Sequence, residues 1–174
     1  MKMIQISNVG FGIDPRSGQQ VLFLSTSDKS RVIPIGLNLV EAHAIGMSLS
    51  GAKSLRPQTH QLLFNAIAID HNLESVQIDL APDNLLIAFI KLSPIVGKGT
   101  NKTLIATTAD AICLALKAKA DIFVSEHLMM TIGVPTNAGE DEQDRKAFKQ
   151  FVESINASDF NNKGPERFNS PEVA

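Results

Sequence analysis

RVIPIGLNLVEAHAIGMSLSG, residues 31 to 51, holds a strand and a helix in one stretch. Arg31 to Ile35 is an apolar run of strand length. Asn38 then offers a helix cap, the helix reads from Leu39 to about Ser50, and Gly51 supplies the stop. Val40, Ala44 and Met47 fall on one face of that helix. Working back towards the N-terminus, Val21 to Leu24 is a second apolar run, separated from the first by STSDKS, and the pair reads as a hairpin. Pro34 has no N–H for a ladder, so its strand is expected at an edge, or to end there. Residues 3 to 13 alternate through Met3, Ile4, Ile6, Val9 and Phe11 and read as one further strand, closed by the turn residues of DPRSG.

Towards the C-terminus, a second helix is expected from near Pro57, a favoured first-turn residue, to about Asp70. Leu62, Ala66 and Ile69 lie on one face, with Leu63 and Ile67 beside it. Strands follow at Ser75 to Leu80 and Leu85 to Leu92 around the turn APDN, and at Lys102 to Ala106 after a loop. Thr107 or Thr108 caps a helix to about Lys119, striped by Ile112, Cys113 and Leu116. Asp121 to Val124 is a short buried strand, and Ser125 caps another helical turn. Glu140 to Ile155 reads as a long C-terminal amphipathic helix, with Phe148, Phe151, Val152 and Ile155 at helical spacing. The order of strands, helices, strands and helices argues for an α+β fold, a single domain with a mixed β-sheet packed with helices. The expected domain spans residues 1 to 160, with a mobile tail over 161 to 174.

The composition of the 174 residues narrows the function. A net charge of −2 argues against a strongly basic nucleic-acid binder, although folding could gather Arg31, Lys53, Arg56 and Lys98 into a patch. Without Trp or Tyr, and with 9 Phe, the chain has few platforms on which bases could stack. A single cysteine, Cys113, cannot form an internal disulfide, and no apolar run reaches membrane length. The N-terminus lacks the apolar stretch of a signal peptide, and the chain reads as cytoplasmic with no membrane partner.

Three segments carry a resemblance. In residues 31 to 51, Pro34, Ile35, Glu41, Ala42, Ala44 and Ile45 fit a Leu-Pro-Ile stretch followed by a Glu-Ala-x-Ala-Ile helix. In LRPQTHQLLFNAI, residues 55 to 67, Arg56, Pro57, Thr59, His60, Leu62 and Leu63 match. In ADAICLALKAKADIFVSEHL, residues 109 to 128, Asp110, Ala111, Ile112, Ala115, Leu116, Ile122, Val124, Ser125 and Glu126 match. With these blocks and their spacing, the chain resembles the bifunctional nuclease domain family over about residues 1 to 160. The resemblance implies an α+β fold with a mixed sheet, and hydrolysis of RNA or DNA. The sequence departs from the family pattern at Thr107, Thr108 and Ala109, where an Arg-Pro-Ser run is usual before Asp110. It departs again at Leu37 to Val40 and at His127, which stands where a second Glu is usual.

The candidate catalytic residues are His60, Arg56 and Asp110. Arg56 and His60, four apart on the expected helix, share a face. The Arg fork suits a phosphate, and a neutral His can take a proton from water or a ribose hydroxyl. The structural alternative pairs Arg56 with a carboxylate and His60 with a neighbouring loop. Asp110 sits in a first helical turn, where capping and the helix dipole account for it without catalysis; the functional alternative is a metal-binding carboxylate beside Glu126. Candidate ligand-binding residues are Arg56, Thr59, Thr108 and Glu126, with Arg56, Thr59 and His60 expected to line a cleft near Asp110 or Glu126. Glu126 and His127 are adjacent, so they point about 100° apart and make a poor chelate. His71 is expected in a loop and solvated, and Cys113 in the core. There is no HExxH, P-loop, GxGxxG or DxD-type cluster. The cofactor is therefore unassigned, and a divalent metal would find no clear ligand cluster. Two classes of function follow. One is a nuclease acting on nucleic acid. The other is a non-catalytic homo-oligomer that binds a small anionic ligand or a protein partner.

Overall fold

A computed structural model describes residues 2–14, 17–51, 56, 58–95 and 99–136. Over these the chain forms β1 (Met3–Ile6), β2 (Asn8–Ile13), β3 (Gln20–Ser25), β4 (Arg31–Leu37), α1 (Leu39–Ser50), α2 (Thr59–Ile67), β5 (His71–Leu80), β6 (Leu86–Pro94), β7 (Lys102–Ala106), α3 (Thr108–Ala118), β8 (Asp121–Ser125), α4 (Glu126–Ile132) and β9 (Val134–Pro135). The expected helix from Glu140 to Ile155 and the tail from residue 161 lie outside the described residues.

The strands form two sheets. One has the order β1-β8-β5-β6-β7 and is mixed, because β5 and β8 run parallel while its other neighbours are antiparallel. The other, β2-β3-β4-β9, is antiparallel throughout. The alternating stretch from residue 3 to 13 is therefore two strands, not one. The chain changes sheets at Ser7, whose amide bonds the Ser25 carbonyl. An unbroken alternation carries no mark of such a crossing, since both halves bury every second residue.

One apolar core joins the two sheets. Leu22, Leu24 and Ile33 from the antiparallel sheet, Val76, Ile78 and Ile90 from the mixed sheet, and Ile112 and Leu114 from α3 are all at least 98% buried. Helix α3 packs on β5, β6 and β8, α1 packs on α3 and on β3 and β4, and α4 reaches both sheets through β4, β5 and β8. Pro34 meets the edge expectation in part. It faces Phe23 of β3 on one side, while β9 covers β4 only at Arg31 and Val32 on the other.

The boundaries of α1 are as the sequence indicates, and its buried face is not. Asn38 accepts from the amides of Val40 and Glu41, the Glu41 side chain returns to the Asn38 amide, and Gly51 closes the helix at φ 64°. The residues buried on its inner face are Ala42, Ile45 and Gly46, while Val40 is 77% exposed. Ala44, on the Val40 face, is partly buried against the core, so only the Val40 end of that face lies outside. The same reversal marks α2. Leu62, Leu63 and Ile69 are exposed, and Phe64 and Ile67 supply the contact with the core. This helix also begins at Thr59, after the extended Gln58, rather than near Pro57.

Candidate active site

The N-termini of α2 and α3 meet at one cavity. Thr107, the N-cap of α3, accepts from the Asp110 amide at 3.2 Å and donates its own hydroxyl to Asp110 Oδ2 at 2.8 Å. That exchange fixes the carboxylate in the first turn of the helix. The other oxygen, Oδ1, lies 2.9 Å from Nε2 of His60, on the first turn of α2. A carboxylate offers only lone pairs, so Nε2 is the protonated ring nitrogen. In the neutral ring Nδ1 then carries the free lone pair and is the basic atom.

Partial burial pushes the Asp110 carboxyl up. The hydrogen bonds from His60 and Thr107 and the charge of His60 outweigh it, and the group lies below its ordinary value of 3.8. Asp110 therefore stays ionised across the neutral range and holds the imidazole in one tautomer. The His60 side chain is 19% exposed, enough to be reached, and the ring is held by a defined partner.

The cavity has a volume of about 690 Å³. Thr59, His60, Thr107 and Asp110 supply its polar groups. Leu86 and Ile90 of β6, Leu104 and Ile105 of β7 and Leu114 of α3 supply apolar wall. These strands are neighbours, with Ile90 opposite Leu104.

Of the sequence candidates, Thr59, His60 and Asp110 come together at this cavity. Arg56 is exposed and precedes the helix, so the four-residue spacing that would put it on the His60 face does not apply. It is not among the residues that line the cavity. Thr108 is buried beneath the helix start, and its hydroxyl has no partner among the described residues. Glu126 lies away from the cavity and pairs with Lys2 at 2.7 Å. Arg31 is engaged elsewhere in the fold. Its guanidinium donates to the Met129 and Gly133 carbonyls, where it closes the C-terminus of α4. Lys53 and Lys98 lie outside the described residues.

His71 departs from expectation. It opens β5, is 8% exposed, and its Nε2 lies 3.3 Å from the Thr100 carbonyl. Cys113 is in the core, as its position on the stripe indicates, and burial pushes its thiol up to about 11. Among the described residues no group of three or more His, Cys, Asp or Glu is placed to hold a metal ion. The apolar wall from β6 and β7 escaped the sequence reading. The pairing of Ile90 with Leu104 joins segments whose register the sequence does not state.

Two relatives described as uncharacterized proteins, from two strains of Mycobacterium tuberculosis, are each 27% identical to this chain over 167 residues. The similarity covers 91% of this chain and 98% of each relative. The family model for the bifunctional nuclease domain matches residues 22–137, a span that holds both helix starts of the cavity and the strands that wall it. That match takes in most of the chain, and the protein belongs to the bifunctional nuclease domain family.

Proposed function

We propose that the protein is a phosphodiesterase acting on RNA or DNA, with His60 as its general base. The observation that carries this reading is the 2.9 Å contact between His60 Nε2 and Asp110 Oδ1 at the edge of an open cavity. It leaves Nδ1 as the basic atom of an oriented imidazole. In the proposed step Nδ1 takes a proton from an attacking water. The water oxygen bonds to phosphorus, the P–O bond to the leaving group breaks, the leaving oxygen takes up a proton from solvent, and Nδ1 then releases its proton to solvent. Asp110 acts through His60, holding the tautomer and stabilising the imidazolium that forms. The Thr59 hydroxyl is the phosphate contact inside the cavity in this reading, and Arg56, exposed just before α2 and outside the cavity lining, meets the substrate strand beyond it.

A homo-oligomer is the second part of the proposal, and the exposed Leu62 and Ile69, which do not line the cavity, favour it. These apolar side chains lie on or next to the elements that form the cavity. We place the protein in the cytoplasm, where its buried thiol would stay reduced.

Cleavage of labelled single-stranded RNA and DNA by purified protein tests the reading. Wild type is compared with an Arg56→Ala/His60→Ala double variant purified identically, which exposes any contaminating nuclease. Activity present in the wild type and absent from the double variant supports the proposal. Equal activity in both sinks it. Repeating the assay in EDTA assigns the chemistry: loss of turnover adds a divalent cation to the reaction, and retained turnover leaves it with the dyad.

A further inference from the structure

We infer that the apolar part of this cavity is a nucleobase subsite, so that the substrate enters by one unstacked base and leaves its phosphate at the His60–Asp110 end. This rests on the hydrolase reading for the phosphate end alone.

The cavity, at about 690 Å³, is of the size that takes a small organic ligand, about 300 to 1,000 Å³. Its character is divided. Ile90 and Leu114 are buried and form its depth, while the hydrogen-bonding groups belong to the two helix starts, where Thr59 and Thr107 are exposed. A nucleotide is divided in the same way, into a flat base and a charged sugar-phosphate.

Charge fixes which end enters. Among the described residues no Lys or Arg lines the cavity, and the Asp110 carboxylate is ionised. A phosphate buried among these leucines and isoleucines would have no counter-charge, and burying an uncompensated charge is strongly unfavourable. The base, neutral and flat, meets no such obstacle. Apolar side chains can sandwich a base that has left its stack, and this matters in a chain without Trp or Tyr. A base within a duplex must first be unpaired and unstacked. The site therefore takes single strands and short phosphodiesters in preference to duplex. Among the described residues the depth of the cavity offers no amide or carboxylate to read base edges, so the subsite does not distinguish one base from another.

A dinucleotide carrying the fluorescent base aminopurine tests this on the full chain. The absence of Trp and Tyr leaves its emission unobscured. Aminopurine is quenched by stacking on its neighbour and brightens when it moves into a cavity without aromatic walls. Fluorescence should rise with added protein. Leu104→Glu, which puts a charge in a half-exposed wall, should weaken the binding about tenfold or more. Ala106→Phe, which fills the space, should do the same, with circular dichroism showing that each variant is folded. The same base within a duplex should bind at least about tenfold more weakly, given the cost of extruding it. No rise in fluorescence, a rise that neither folded variant reduces, or equal binding of duplex overturns the subsite. The two readings fail separately. Cleavage that needs His60 without capture of the probe removes the subsite alone. Capture of the probe with cleavage indifferent to His60 removes the hydrolase alone.

Discussion

Asp110 uses both of its carboxylate oxygens, one on His60 and one on Thr107, and these bonds hold its own carboxyl below the ordinary value. A carboxyl whose pKa is lowered on folding stabilises the folded state above its unfolded value, and that contribution is lost as the pH falls through the folded value. For Asp110 the contribution is complete above 3.8 and disappears below it. The side chain is 47% exposed, so solvent keeps the effect small. Asp110→Asn should lose this component. Denaturant unfolding followed from neutral pH to below 3.8 should show a shallower decline for the variant than for wild type. Parallel curves would mean that the pair with His60 contributes nothing to folding. Cys113 gives a second expectation at this scale. With its thiol at about 11 and 1% of its surface exposed, it should not react with a disulfide reagent at neutral pH until the chain unfolds. Rapid labelling of the native protein would contradict this placement in the core.

The helix α1 is held at both ends by local chemistry, Asn38 and Glu41 at the start and Gly51 in the left-handed region at the end. Asn38→Ala removes an acceptor that serves two amides and should destabilise the fold by about 1 kcal/mol in denaturant unfolding. A variant as stable as wild type would show that the cap is dispensable. These end signals were legible in the sequence because they are made by residues within a few positions of one another. The same holds for Thr107 on α3 and Ser125 on α4. The buried faces of α1 and α2 were not legible. Val40 and Leu62 look like core residues by period, but the face a helix buries is set by the element packed on it. Here α1 packs on α3 and buries Ala42, Ile45 and Gly46, and Phe64 rather than Leu62 meets the core. Half of the site was legible for the same reason. Thr59, His60 and Asp110 lie at helix starts, which local signals mark, whereas the wall from Ile90 and Leu104 depends on a strand register that only the folded chain defines.

At the scale of the molecule, two sheets and four helices over the described residues enclose one core and bring two helix starts to one cavity. The packing around the core leaves Leu62 and Ile69 outside, and sedimentation should show a species larger than the 18.8 kDa chain. Monomer alone would remove the homo-oligomer from the account and leave the site standing. The central claim is that His60, oriented by Asp110, performs the chemistry. A single-turnover rate of RNA cleavage tests it most directly, comparing wild type with His60→Ala, both shown to be folded. The account predicts a rate lower by about a hundred- to ten-thousand-fold in the variant, the usual contribution of a general base. A folded His60→Ala protein that cleaves at the wild-type rate would contradict it.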